Sequence, residues 1–276
     1  MQSYPERICL WKTHALFIGR LPEFGPRRQA AAALCIGLED DIEISADEQS
    51  WFRCRTALTG PEIHHAIRFG GKPCALIFLE PNTADYARIR STNAQREQAG
   101  IFTALAQEAY LLDFLREVNR CENAVALQDV LNSFSLGAND PVPRQLPDAR
   151  MQKIALQVAR ESADNIPIAE LAQSLAMSVS SLEHLFKKEI GVPIRMFRIW
   201  FRLKAAVLYL KEGLSLTDAA LRAGFYDSAH FTRTFKDVFG LPPSEIFNPQ
   251  RHLQWHVSTD AYATTAVALS DLRTDV

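Results

Sequence analysis

Apolar positions fall into short runs over the first ninety residues and into broad helical stripes after them. HALFIG (14–19), AALCIG (32–37), SWFRCRTAL (50–58) and CALIFLE (74–80) are apolar or alternating. Pro, Gly and Asp-rich punctuation separates them: LPEFGP, LEDD, TGPE and GGKP. Short strands at such close spacing predict a small sandwich or barrel. From about Thr92 the period lengthens. Phe102, Leu105, Ala109, Leu112 and Arg116 share one helical face, broadened by Ile101, Leu111, Leu115 and Val118. A second helix is expected across 124–134. A stripe this wide serves the core or a partner protomer, and a dimer seam along Phe102–Val118 is the expectation.

SLGANDPVPRQLPD (135–148) holds three prolines and one glycine with little apolar content, the composition of a semi-rigid linker. Beyond it nearly everything reads as helix. Asp148 reads as an N-cap, followed by Met151, Ile154, Ala155 and Val158 at helical spacing. In PIAELAQSLAMSVSSLEHLFKKEIGVP (167–193), Leu171, Leu175 and Ala176 belong to one short helix. Ser178 caps the next, whose buried face is Leu182, Leu185 and Phe186. Two short helices on a tight turn make a helix-turn-helix, whose second helix fits a major groove.

The unit is written twice. FKKEIGVP (186–193) returns as FKDVFGLP (235–242), 49 residues on. At that offset Ala220 answers Leu171, Phe231 answers Leu182, Phe235 answers Phe186 and Lys236 answers Lys187. Gly191 and Gly240 supply the left-handed helix end, and Pro193 and Pro242 forbid resumption. Between the copies, residues 193–213 carry no Gly or Pro from Ile194 until Gly213. Some 19 helical residues span about 28 Å, close to the roughly 34–36 Å between successive major-groove faces.

Charge sharpens the division. The whole chain has a net charge of −2. Residues 1–149 hold 15 Lys/Arg against 19 Asp/Glu, whereas residues 150–251 hold 14 against 10. A basic half joined to an acidic one points to nucleic acid as partner of the former. The five cysteines (Cys9, Cys35, Cys54, Cys74, Cys121) form no CxxC pair and leave one over, a pattern of reduced thiols used as small hydrophobes. No run of 18 apolar residues occurs, and Glu6 and Arg7 stand where a signal peptide needs an apolar stretch; a cytoplasmic protein off the membrane is expected.

Residues 151–247 resemble the double helix-turn-helix domain of AraC/XylS-family transcription regulators. LAQSLAMSVSSLEHLFKKEIGVPI, FRLKAAVLYL and AALRAGFYDSAHFTRTFKDVFGLPPSEIF carry the resemblance. Asn248 departs from the Arg frequent in the family, and Ala229 from its Ser. Residues 1–134 resemble, less specifically, the family's sensor half, a small cupin-like β-barrel with appended helices. The expected fold is therefore α+β, with a sensory and dimerisation domain at 1–134, a linker at 135–148 and an all-α DNA-binding domain at 149–250. The tail, 251–276, is expected to be loosely ordered or packed on a neighbour.

The resemblance implies base-facing positions at Ser180, Glu183 and His184 with Ser181 beside them, and at Thr232 and Arg233 with Ser228 at the helix start. Arg233 leads, because a bidentate contact to guanine O6 and N7 is the commonest specific pairing. Lys187, Lys188, Arg195, Arg198 and Lys236 are the expected phosphate contacts; Arg202, on the connecting helix, serves either there or in an internal ion pair. Effector candidates are His64 and His65, which follow GPEI, together with Arg53 and Arg55 on one strand face. Cupin enzymes place metal ligands at such a His pair, but a catalytic metal needs about three ligands and no third is apparent beyond the remote His14. Neither a Gly-rich phosphate loop nor a nucleophile elbow occurs. The reading is a non-enzymatic, cofactor-free regulator, against a dimer-forming DNA-binding protein without effector or a metal-dependent enzyme fused to a DNA-binding module. Its expected partners are double-stranded DNA, a small-molecule effector and a second copy of the chain, with RNA polymerase as a further candidate.

Overall fold

A computed structural model describes residues 4–80, 83–93, 96–136 and 148–263, apart from the side chains at 24, 84, 249 and 263. These residues fall into two compact units, one drawn from 1–142 and 236–258, the other from 143–235 and 259–276.

In the first unit the strands are β1 (Arg7–Trp11), β2 (His14–Arg20), β3 (Phe24–Arg28), β4 (Ala32–Gly37), β5 (Ile42–Ser45), β6 (Phe52–Cys54), β7 (Thr56–Thr59), β8 (His64–Arg68) and β9 (Pro73–Leu79). Helix α1 (Ala84–Thr92), strands β10 (Glu97–Gln98) and β11 (Ile101–Thr103), and helices α2 (Glu108–Arg120) and α3 (Ala124–Ser133) follow. Strand β12 (Gln254–Val257) joins them from the far end of the chain. An eight-stranded sheet runs β10-β11-β7-β4-β9-β2-β1-β12, and a four-stranded one runs β3-β8-β5-β6.

The expected small barrel does not close: the two sheets share no ladder among the described residues. Pro26 lacks an N–H and lies in edge strand β3, where the register also shifts between Phe24 and Arg27. At the other edge β6 is only three residues long, and after Arg55 alone the chain enters β7 of the larger sheet.

Strand alternation gives the larger sheet two unlike faces. Leu16, Ile18, Leu34, Ile36, Leu58 and Ile77 pack with Leu111, Phe114, Leu115 and Val118 of α2 and with Leu127 and Leu131 of α3. This corrects the reading of 102–118. The helix starts at Glu108, while Ile101 and Phe102 pair with Thr59 and Leu58 in the sheet. Three successive β-formers, Ile, Phe and Thr, extend the chain there before the helical period takes over. The stripe of α2 and the preceding Leu105 are used by the unit's own core, so Leu105, Leu111 and Leu115 are not the dimer seam expected of them.

The second surprise is β12. The tail was expected to be loose, yet Arg7, Ile8, Cys9 and Leu10 pair in parallel with Gln254, Trp255, His256 and Val257. Buried Arg7 donates to Gln254 Oε1 from Nε and Nη2 (3.1 and 2.9 Å) and to the Val118 carbonyl from Nη1 (2.6 Å). Glu6 accepts both arms of the Arg251 fork at 2.6 and 2.7 Å. Ile8, Cys9 and Leu10 are buried, so a second partner strand repays the backbone hydrogen bonds that this edge of β1 would otherwise lack. Short apolar content hides such a strand from periodicity.

The second unit is helical: α4 (Ala149–Arg160), α5 (Ile168–Ser174), α6 (Val179–Ile190), α7 (Ile194–Lys211), α8 (Leu216–Arg222), α9 (Ser228–Phe239) and, after α10 (Pro243–Ile246), α11 (Thr259–Ala263). Phe235 closes its share of α9, and α10 belongs to the first unit. Asp148 caps α4 by accepting from the Arg150 N–H at 2.8 Å, as expected. The uninterrupted α7 buries Phe197, Trp200 and Phe201 along one side, with Phe197 edge-on to Phe186 at 5.5 Å.

Candidate nucleic-acid interface

Helix α6 starts on Ser178, whose Oγ accepts from the Ser181 N–H at 3.1 Å. Its hydroxyl donates in turn to Ser181 Oγ at 2.8 Å, which ties that side chain to the cap. Leu182, Phe186 and Ile190 form the buried stripe. The helical period then leaves Ser180, Ser181, Glu183, His184, Lys187 and Lys188 exposed. Gly191, at φ 92°, ends the helix in the left-handed region that favours glycine.

Helix α9 repeats the plan with other residues. Asp227 Oδ1 accepts from the His230 N–H at 2.6 Å. Phe231 and Phe235 are buried, whereas Arg233 and Lys236 are exposed and Ser228 and Thr232 half-buried. His230 Nδ1 lies 3.4 Å from the Tyr226 N–H, and its ring stands edge-on to Phe225 at 5.4 Å. It braces the helix entrance.

The two units are not offset by 49 throughout. Helices α5 and α8 begin at Ile168 and Leu216, 48 apart, whereas α6 and α9 begin at Val179 and Ser228, 49 apart. Turn residues Ala176 and Gly224 both have positive φ and also match at 48. Leu171 therefore corresponds to Ala219, not to Ala220. The second turn holds one extra residue before its cap, and Tyr226 lies there 87% exposed. Sequence reading passed over Tyr226; the change of offset from 48 to 49 was the signal that could have found it.

Of the expected phosphate contacts, Arg195 is exposed but Arg198 is engaged. Arg198 Nη2 donates to the Ile166 carbonyl at 2.6 Å, and Arg202 Nε donates to the Ser162 carbonyl at 2.6 Å. Both guanidinium groups also reach Asn165 Oδ1, at 3.4 and 3.3 Å. Burial lowers both pKa values, with the neighbouring Arg198 charge adding to the effect on Arg202. These arginines pin the α4–α5 loop to α7. Arg198→Ala is expected to cost about 1–3 kcal/mol of folding stability through the orphaned carbonyl, while leaving the salt dependence of DNA binding unchanged. Chemical denaturation and binding isotherms over a salt series check this; a reduced salt slope returns Arg198 to the phosphate set.

The four effector candidates do not converge. His64 is exposed and His65 fully buried, as neighbours on a strand must diverge. Arg53 lies on the surface, 3.4 Å from Asp40 and 3.3 Å from Asp41. Arg55 donates to the Leu38 carbonyl. His14 sits apart, 3.2 Å from Asp85 and stacked on Trp11 at 5.0 Å. Among the described residues no three His, Cys, Asp or Glu side chains gather as metal ligands, and no helix is long and apolar enough to cross a membrane.

Two capped helix pairs with polar outer faces are joined by one continuous helix. Residues 171–248 match the family model described as a helix-turn-helix domain. The arabinose operon regulatory protein of Escherichia coli K12 is 32% identical over 101 residues, 36% of this chain and 35% of that protein. The chain thus spans about a third of the length of the curated relatives it matches. An apo, singly substituted ToxT from Vibrio cholerae strain SCE256 shares the fold with a TM-score of 0.57 at 13% identity, covering 86% of this chain and 98% of that one. Wild-type ToxT from the same strain with an unsaturated fatty acid bound gives 0.53 at 13% identity, over 86% and 96%. The C-terminal helices are thus similar to a helix-turn-helix domain and to part of the arabinose operon regulatory protein.

Proposed function

We propose that the chain is a cytoplasmic, sequence-specific DNA-binding regulator of transcription, with α6 and α9 as its two readers and a small-molecule effector received by the first unit. The observation that carries the reading is the pair of outward faces. Ser180, Glu183 and His184 are presented on α6, and Thr232 and Arg233 on α9, each opposite a buried Phe stripe. Lys187, Lys188, Arg195 and Lys236 supply phosphate contacts, and Tyr226 is added as a contact at the entrance of α9. The 18 residues of α7 span about 27 Å at 1.5 Å each, near the separation of successive major-groove faces. The fatty acid held by ToxT belongs to that protein; it supports an effector role for the first unit here. No catalytic step is part of this reading.

Footprinting of the full chain on a site selected from random duplexes tests it. Protection of two major-groove faces about one helical turn apart is expected. Protection of one face, or equal binding to all sequences, overturns the two-reader proposal.

A further inference from the structure

The loop between α4 and α5, residues 161–166, is gripped from two sides. Asn165 takes φ 53°, a left-handed turn that Asn tolerates better than most residues. The Asp164 N–H donates to the Glu161 carbonyl at 3.1 Å, closing the turn. From α7, Arg198 and Arg202 stand four residues apart, on one helix face. They donate to the Ile166 and Ser162 carbonyls, both at 2.6 Å. The loop backbone is thereby rooted near each of its ends on the helix that joins the two helix pairs.

A second contact reaches the same loop from the other helix pair. Gly224 lies in the α8–α9 turn, four residues ahead of α9, with φ 84°. A Cβ placed there would stand 2.6 Å from the Ala163 carbonyl oxygen and 2.7 Å from the Ala163 Cα. Both are backbone atoms, which cannot swing aside as the end of a side chain can. Left-handed backbone alone does not demand glycine at this turn position: Ala176, its equivalent in the first pair, has φ 52° and is exposed. Gly191, also left-handed, has open space where its Cβ would be. What Gly224 serves is the close approach of two backbones.

The loop thus touches both readers' supports. It runs directly into α5, whose partner α6 is one reader, and it seats the turn that leads into α9, the other. A lone connecting helix lets two heads pivot about its ends, and a second tie away from that helix removes the freedom. We propose that loop 161–166 is a strut locking the mutual orientation of α6 and α9, with Gly224 as the positioning residue at its contact, so that the chain accepts its two DNA segments at one spacing only. The proposal rests on the two-reader reading above and adds a spacing rule to it. One inserted base pair moves the far segment by about 3.4 Å and about a tenth of a turn, more than two seated backbones can follow.

Isotherms of the full-length protein test it on the site selected for footprinting and on versions with one base pair inserted or removed between the two protected segments. Two further duplexes, each with one segment scrambled, read the heads singly. The unaltered protein is expected to bind the respaced sites at least about tenfold more weakly, the equivalent of one lost base contact. Gly224→Ala is expected to weaken binding to the selected site and to lose most of that discrimination, while matching the unaltered protein on the scrambled duplexes. Arg202→Ala, which frees the Ser162 carbonyl at the root of the loop, decides by the same readout where the Gly224 variant does not fold. Full discrimination in the deciding variant, or respaced sites bound by the unaltered protein as well as the selected one, overturns the strut and leaves two readers standing. An equal fall in affinity on the scrambled duplexes also overturns it, as plain damage to a helix pair. Protection of a single groove face removes the two-reader reading, and the strut with it.

Discussion

Replacing Arg233 with alanine is expected to cost about 1–3 kcal/mol on the preferred DNA site and to relax selection at one base pair. The guanidinium is exposed on α9, opposite the buried Phe231 and Phe235. Its planar fork satisfies guanine O6 and N7 together, a pair of acceptors that no other base edge offers. Lys187→Ala is the control. A phosphate contact weakens all sequences alike, and its loss reduces the salt slope by about one unit. Isotherms on the selected site and its single-base variants, at several salt concentrations, separate the two effects. Should Arg233→Ala lower affinity equally on every variant, Arg233 positions the helix, and reading falls to Glu183, His184, Thr232 or the inserted Tyr226.

Phe231→Ala is expected to destabilise the second helix pair by about 3–5 kcal/mol, the range for truncating a buried aromatic ring without backbone collapse. The ring is fully buried, with Phe225 at 5.2 Å and Phe235 at 5.6 Å, both edge-on. Because Arg233 lies two residues on, the cavity also removes the platform that aims the reader. Amide exchange along α8 and α9 reads this loss locally, where a whole-chain melting curve would mix two units. Protection unchanged in α8 would mean that the pair does not depend on this ring.

The second unit was far more legible than the first. Its helices announce themselves through caps (Asp148, Ser178), a left-handed glycine (Gly191) and an apolar period that burial then follows. The match of Ala220 to Leu171 fails because the offset of FKKEIGVP does not carry back across a turn that differs by one residue. In the first unit the strand runs near 14–19, 32–37, 50–58 and 74–80 were visible as apolar segments, yet pairing was not, because partners lie far apart in sequence. Ile101 and Phe102, two apolar residues ahead of a helix, fit either period. Its place on the connecting helix suits Arg198 to a phosphate contact, and only geometry shows its fork turned to the Ile166 carbonyl.

Pairing of β12 with β1 bears on how the protein is made. Arg7 and Gln254 lie 247 positions apart, so β1 is made long before its partner β12. Until then the outer edge of β1 has unpaired N–H and C=O groups along a buried-type strand, the kind of edge on which foreign strands add. Non-local closure of this sort is slow, and nascent chains with open apolar edges aggregate. A ribosome stalled short of residue 254 therefore displays a nearly finished first unit with an adhesive border. Synthesis along the chain leaves β1 open until β12 has been made.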